Sequence, residues 1–211
     1  MIKALPALAV LLLAAPAVAG EAPHAFGGFA EAVATGQFAM PEGDFRQLQN
    51  PLVDAIRVGR QEIRLEQTTL AGIAEAFDGA INETGEAGGH VVWLCLALPD
   101  GVLWFYSDGE MGQGKVNMVA IETGKPAPEW GCTAAMLDLS DIDLGIAGLG
   151  TPLTEITAEF GALVPDRDGR LGYTITSPHP ERNGFSIYQG FRFRVAGGVV
   201  DAFAIDQQTA D

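Results

Sequence analysis

The sequence predicts an α+β fold of two tandem duplicated modules, each with short helices followed by an antiparallel sheet. Two offset matches carry this reading. Thr68, Leu70, Ile73 and Phe77 recur as Thr151, Leu153, Ile156 and Phe160, each moved by 83 positions. Gly114, Val116, Ala120 and Ile121 recur as Gly198, Val200, Ala204 and Ile205, each moved by 84. In that second register Glu122 answers to Asp206, Leu103 to Ile187 and Trp104 to Tyr188. One inserted residue reconciles a helix match with a strand match in the same order. Solenoid repeats run at about 20–50 residues, so this longer period indicates a duplicated module.

Residues 1–19 read as an export signal. Lys3 supplies the positive start, Leu8 to Ala15 the apolar run, and Ala17-Val18-Ala19 the small-residue cleavage site. The apolar run is short of the ~20 residues that a membrane span needs. Gly20 rather than cysteine follows the cut, so no lipid anchor is expected. Residues 20–49 form an N-terminal extension in which Phe26, Phe29, Ala30 and Val33 share a short helix face weakened by glycines.

Module one spans 50–123. Asn50 as cap, Pro51 at the first position, Leu52, Val53 and Ile56, closed by Gly59, predict a helix. Gln61 to Glu66 reads as an extended lead-in. Thr68 then caps a helix with Leu70, Ile73, Ala74 and Phe77 on one face, ended by Gly79. Val91 to Leu98 is nearly all apolar, as in a strand covered on both faces. Pro99-Asp100-Gly101 turns it into Val102 to Ser107, and Val116 to Glu122 follows as the third strand.

Residues 124–141 read as a linker, tied back at Trp130-Gly131-Cys132. Module two spans 142–211. Thr151 caps a helix with Pro152 at its first position and Gly161 as its stop. Gly172 to Thr176, Phe185 to Val195 and Val199 to Asp206 are the strands, with Gly197-Gly198 turning between the last two.

The formal net charge is −15, and loss of Lys3 with the signal leaves −16. Such a surface repels nucleic acid and anionic lipid and attracts basic proteins or cations. Cys95 and Cys132 are the only cysteines. In an oxidising compartment they are expected to pair, since neither CxxC spacing nor a neighbouring cation marks a reactive thiol.

No catalytic constellation stands out. His24, His90 and His179 lie apart without metal-ligand spacing. Asp166-Arg167-Asp168-Gly169 lacks the calcium-loop positions, because Val164 and Ile175 stand where Asp and Glu belong. Asp138, Asp141 and Asp143 read as a solvated face. A hydrolase would use Ser107 with His90 as base, but no GxSxG or SxxK arrangement activates that serine. No cofactor or metal site is expected.

Helix–sheet units repeated in tandem in an acidic exported chain resemble the β-lactamase inhibitory protein architecture. Each half is also similar to the module of small outer-membrane assembly lipoproteins. Thr68-Thr69-Leu70 through Phe77 with Val116 to Glu122, and Thr151-Pro152-Leu153 through Phe160-Gly161 with Val200 to Asp206, carry the likeness. The chain departs from it in lacking an anchor cysteine and a disulfide within each half. The resemblance implies a scaffold for gripping other proteins.

The expectation is therefore a periplasmic or secreted, non-enzymatic module that binds an envelope protein, for example by inhibiting a basic enzyme. Trp104, Tyr106, Tyr188 and Phe191 are the candidate interface residues. A hydrolase using surface carboxylates and a carrier of a small ligand or cation are the alternatives.

Overall fold

A computed structural model describes residues 24–36, 45–86, 89–109 and 112–211 of the protein. The predicted export signal lies outside the described residues. Helix α1 (Gly28–Ala34) is followed by β1 (Phe45–Leu48) and the hairpin β2 (Ile56–Val58) and β3 (Gln61–Ile63). Then come α2 (Leu70–Phe77), β4 (Asn82–Thr84), β5 (Val91–Ala97), β6 (Gly101–Asp108) and β7 (Met118–Thr123). The second half holds β8 (Thr133–Ala134), β9 (Ile142–Asp143), α3 (Leu153–Phe160), β10 (Arg170–Pro178), β11 (Ser186–Ala196) and β12 (Val199–Ala210).

This is an α+β arrangement. One sheet runs β1-β10-β11-β12-β7-β6-β5-β4, with β8 also paired to β5, and β3-β2-β9 form a small second sheet. The two halves meet edge to edge at the β7–β12 seam. There Ala120 faces Ala204, flanked by Val119 opposite Ile205 and Ile121 opposite Phe203.

Alternation along the strands gives the large sheet two faces. The inner face carries Leu94, Leu103, Phe105, Ile121, Phe191, Phe193 and Phe203 against α2, α3 and the small sheet. The outer face carries Trp93, Cys95, Trp104, Met118, Ala120, Ala202 and Ala204. The alanines let α1 lie close, and Phe26, Phe29 and Ala30 cover this face. Strands β5 to β7 are thus apolar on both sides for a physical reason: each side is capped.

The two long helices are pinned alike. Leu70 N donates to Gly114 O (2.8 Å) and Leu153 N to Gly198 O (3.0 Å). Val116 N donates to Thr68 O and Val200 N to Thr151 O, both at 2.9 Å. Phe77 lies 6.5 Å from Phe105, and Phe160 lies 5.9 Å from Phe193.

Four sequence expectations need correction. Residues 50–59 are not a helix; they run irregularly into β2. The cause is tertiary. The buried Gln189 side chain accepts from Val53 N (2.8 Å) and donates to Val53 O (3.0 Å), satisfying both backbone groups of Val53 in a non-helical chain. The α2 cap is Thr69, whose hydroxyl accepts from Gly72 N, while Thr68 accepts from Arg64 N. That helix closes on Asp78 in the left-handed region, one residue before Gly79. The equation of Leu103 with Ile187 and Trp104 with Tyr188 is out of register. Leu103 faces Ile121, but Phe191, not Ile187, faces Ile205. A tight Gly197-Gly198 turn and a bulge at Arg194/Val195 replace the long β6–β7 connection and shift the pairing.

Gln189→Leu should therefore cost about 1–3 kcal/mol, because it strands both polar groups of Val53. Urea unfolding would measure this, and an unchanged midpoint would remove Gln189 as the organiser of that loop.

Candidate functional site

The cysteines form the expected disulfide, Cys95–Cys132, on the outer face. It fixes the 3-10 turn Pro128–Trp130 beside residues 24–34, an N-terminal strap laid across that face. Phe26 inserts between Trp93 (5.3 Å), Trp104 (5.6 Å) and Tyr106 (5.6 Å). At the start of α1, Phe29 N donates to Glu122 Oε1 at 3.0 Å. Arg194 approaches Glu122 Oε2 at 3.8 Å, bonds Asp201 at 2.9 Å and sits 5.6 Å over the Phe29 ring.

Burial pushes the Glu122 carboxyl above its ordinary value, against the opposing pull of the Phe29 amide, Arg194 and the Trp104 indole, while Asp201 adds to the rise. The Trp104 Nε1 nonetheless completes no hydrogen bond. A raised folded-state pKa means that the native state holds the proton more tightly than the unfolded chain. This contribution to stability is full below the unfolded value and is lost as pH rises through the folded one. Glu122→Gln keeps an acceptor for Phe29 N without the charge. Its melting temperature relative to the parent should rise as pH climbs from about 4 through that window. A pH-independent difference would show that the buried charge costs nothing.

Beyond the end of α1 the outer face opens into a cleft of about 1030 Å³. Its walls are Val33 and Ala34 of the strap region, Tyr106 and Lys115 from the first half, and the hairpin loop His179–Phe185 from the second. The end of β12, from Asp206 onward, forms the floor. A neighbouring groove of about 450 Å³, lined by Gln47, Thr174, Thr176 and Tyr188, shares Arg192 and Asp206 with it. Arg192 Nη2 lies 3.5 Å from Asp206 Oδ1, and Arg192 Nη1 donates to Tyr173 O at 3.1 Å. Burial lifts the Asp206 carboxyl and lowers Arg192, and each charge partly offsets the shift of the other. Burial, then the nearby Asp108, raises Tyr106.

Of the four candidate interface residues, the structure brings Tyr106 to the cleft and Tyr188 to the groove, where Tyr188 is 44% exposed. Trp104 and Phe191 are fully buried, Trp104 under Phe26 and Trp130, Phe191 beneath Phe160. Those two offer no ring surface in the folded monomer. Phe185, absent from the candidates, is exposed on the cleft wall.

Ser107 is buried with its hydroxyl donating to Asp108 O at 3.4 Å, while His90 turns to Glu83 at 3.4 Å. Asp166 Oδ1 is occupied by the amides of Asp168 and Arg170. Asp138, Asp141 and Asp143 are all exposed, as a solvated face requires, and Asp138 and Asp141 cap each other's backbone in a 3-10 turn. Among the described residues no group of His, Cys, Asp and Glu is placed to hold a metal ion.

Among the described residues, Glu122 and Asp206 are the carboxylates with raised pKa. Glu122 stands opposite Ala202, four residues from Asp206 on β12. At about 3.4 Å per residue they are ~14 Å apart along the strands. Carboxylate pairs in sugar hydrolysis stand about 5–10 Å apart. Sequence reasoning missed Glu122 as a strap anchor, although a carboxylate ending the apolar run Met118-Val119-Ala120-Ile121 was a visible signal. No helix among the described residues is long and apolar enough to cross a membrane. No protein-family model, curated protein or solved structure matches the chain.

Proposed function

We propose that this is an exported, non-enzymatic binding module, cleaved near Ala19, which holds a basic envelope protein in the cleft of the outer face. The observation that carries this reading is the cleft itself. It is wide and open, and Phe185 and Tyr106 furnish ring surface beside it. Its described lining holds five carboxylates, Glu66, Asp108, Glu181, Asp206 and Asp211, against the cations Lys115, Arg182 and Arg192. With the chain at −15, the long-range field favours a basic partner. Aromatic side chains supply the short-range energy at such surfaces.

The tandem duplication belongs to the same proposal. The matched pinning bonds of α2 and α3 support it, as does the β7–β12 seam. Ala120 and Ala204 are both repeat mates and cross-seam partners. Val119–Ile205 and Phe203–Ile121 exchange under the same 84-residue shift, as a local two-fold axis through the alanines requires. A cleft with one wall from each half is then a natural place to grip a partner, in keeping with the resemblance to inhibitory-protein scaffolds.

Titration with a basic lysozyme would test the binding reading. Affinity should fall between about 0.01 and 0.15 M salt, as the Debye length shrinks from roughly 30 to 8 Å. Phe185→Ala with Tyr188→Ala should weaken it further through faster dissociation. Salt-independent capture of a neutral small molecule, or turnover of a substrate by the purified chain, would defeat this reading.

A further inference from the structure

We propose that the Cys95–Cys132 disulfide is a redox lock on the N-terminal strap, with Trp130 as the bolt. Among the described residues, backbone bonds tie the strap to the rest of the molecule at two places. One is Glu122, which takes the Phe29 amide. The other is the short segment that ends at Cys132. Ala25 N donates to Glu129 O at 2.7 Å. The Trp130 indole lies so close over Gly27 that a Cβ there would overlap Nε1. The His24 ring lies against Gly131 in the same way.

Trp130 is in turn held from below, by Trp104 at 5.1 Å and by its carbonyl, which accepts from Trp93 Nε1 at 3.4 Å. The covalent link that pulls residues 128–132 onto the face is the bridge to Cys95, itself fully buried on β5. Cys132 is the less buried of the two cysteines, so thiol attack is assigned to its sulfur. A dithiol thiolate that attacks Cys132 forms a mixed disulfide with it and expels the Cys95 thiolate. The second thiol then attacks that mixed disulfide, closes the reagent to its own disulfide and releases the Cys132 thiolate. The protein gains two electrons and two protons as two thiols. Without the tether, the turn keeps only non-covalent holds: the two-residue β8, the Trp104 contact and the long Trp93 indole bond to the Trp130 carbonyl. The strap then comes away and uncovers the box of Trp93, Trp104 and Tyr106. Tyr106, Val33 and Ala34 also line the cleft, so release would enlarge it. The lock itself does not depend on what the cleft binds.

The test is amide and indole NMR on the full chain, oxidised and after dithiothreitol. In the reduced protein, with β10–β12 resonances in place, the Ala25 and Phe29 amides should exchange at least tenfold faster. The Trp93 and Trp104 indole resonances should move with them. Unchanged strap resonances with only a lower melting temperature would overturn the proposal, because the disulfide would then act solely on the unfolded chain. If the reduced chain does not stay folded, Gly27→Ala in the oxidised protein decides. Evicting Trp130 should free the same two amides, and a strap still protected in that variant would overturn the lock.

Discussion

Trp104→Ala should cost about 3–5 kcal/mol of stability, the range for deleting a large aromatic from a core. In the sequence, its place on the aromatic strand Trp104-Phe105-Tyr106 suits either a partner anchor or a core residue. The structure gives it zero exposure, with Phe26 edge-on at 5.6 Å and Trp130 at 5.1 Å. Truncation would leave a void beneath the strap and remove one ring contact of Phe26 and the ring contact of Trp130. A thermal melt and a lysozyme titration on the same variant separate the two roles. Loss of stability with affinity retained in the folded fraction is the expected pair. Weaker binding at unchanged stability would return Trp104 to the interface.

The strands were legible because their signals are local. Val91 to Leu98, the Pro99-Asp100-Gly101 turn and the Gly197-Gly198 turn lie where the structure bends and pairs the chain. The disulfide was legible because only one pairing existed. Residues 50–59 misled because their caps and apolar spacing satisfy a helix, while the group that holds them open, Gln189, lies 136 residues away. Nothing local encodes that bond.

The outer face failed for a related reason. A period of two says that alternate side chains face opposite ways, but not whether the second face is covered. Its cover is a glycine-rich segment of low helix propensity. Those glycines are what allow the approach, since Gly27 admits Trp130 and Gly28 admits Glu122. The cleft walls join Lys115 to His179–Phe185, segments distant in sequence that only the β7–β12 seam brings together.

The second large effect is expected at Phe193. Its ring is the hub of the aromatic layer under α3, at 4.8 Å from Phe203, 5.9 Å from Phe160 and 6.1 Å from Tyr173. Phe193→Ala should cost about 3–5 kcal/mol, because three large rings cannot all close on one vacated site. Five positions earlier on β11, Tyr188 points outward and is 44% exposed, so Tyr188→Ala should stay within about 0.5 kcal/mol. Both changes remove an aromatic ring from one strand, which equalises their loss of strand propensity. The difference between them therefore reports burial. Urea midpoints with unchanged m-values would measure it. Equal costs would mean that the strand, not the packed layer, is what these aromatics stabilise, and the two-faced sheet described above would have to be redrawn.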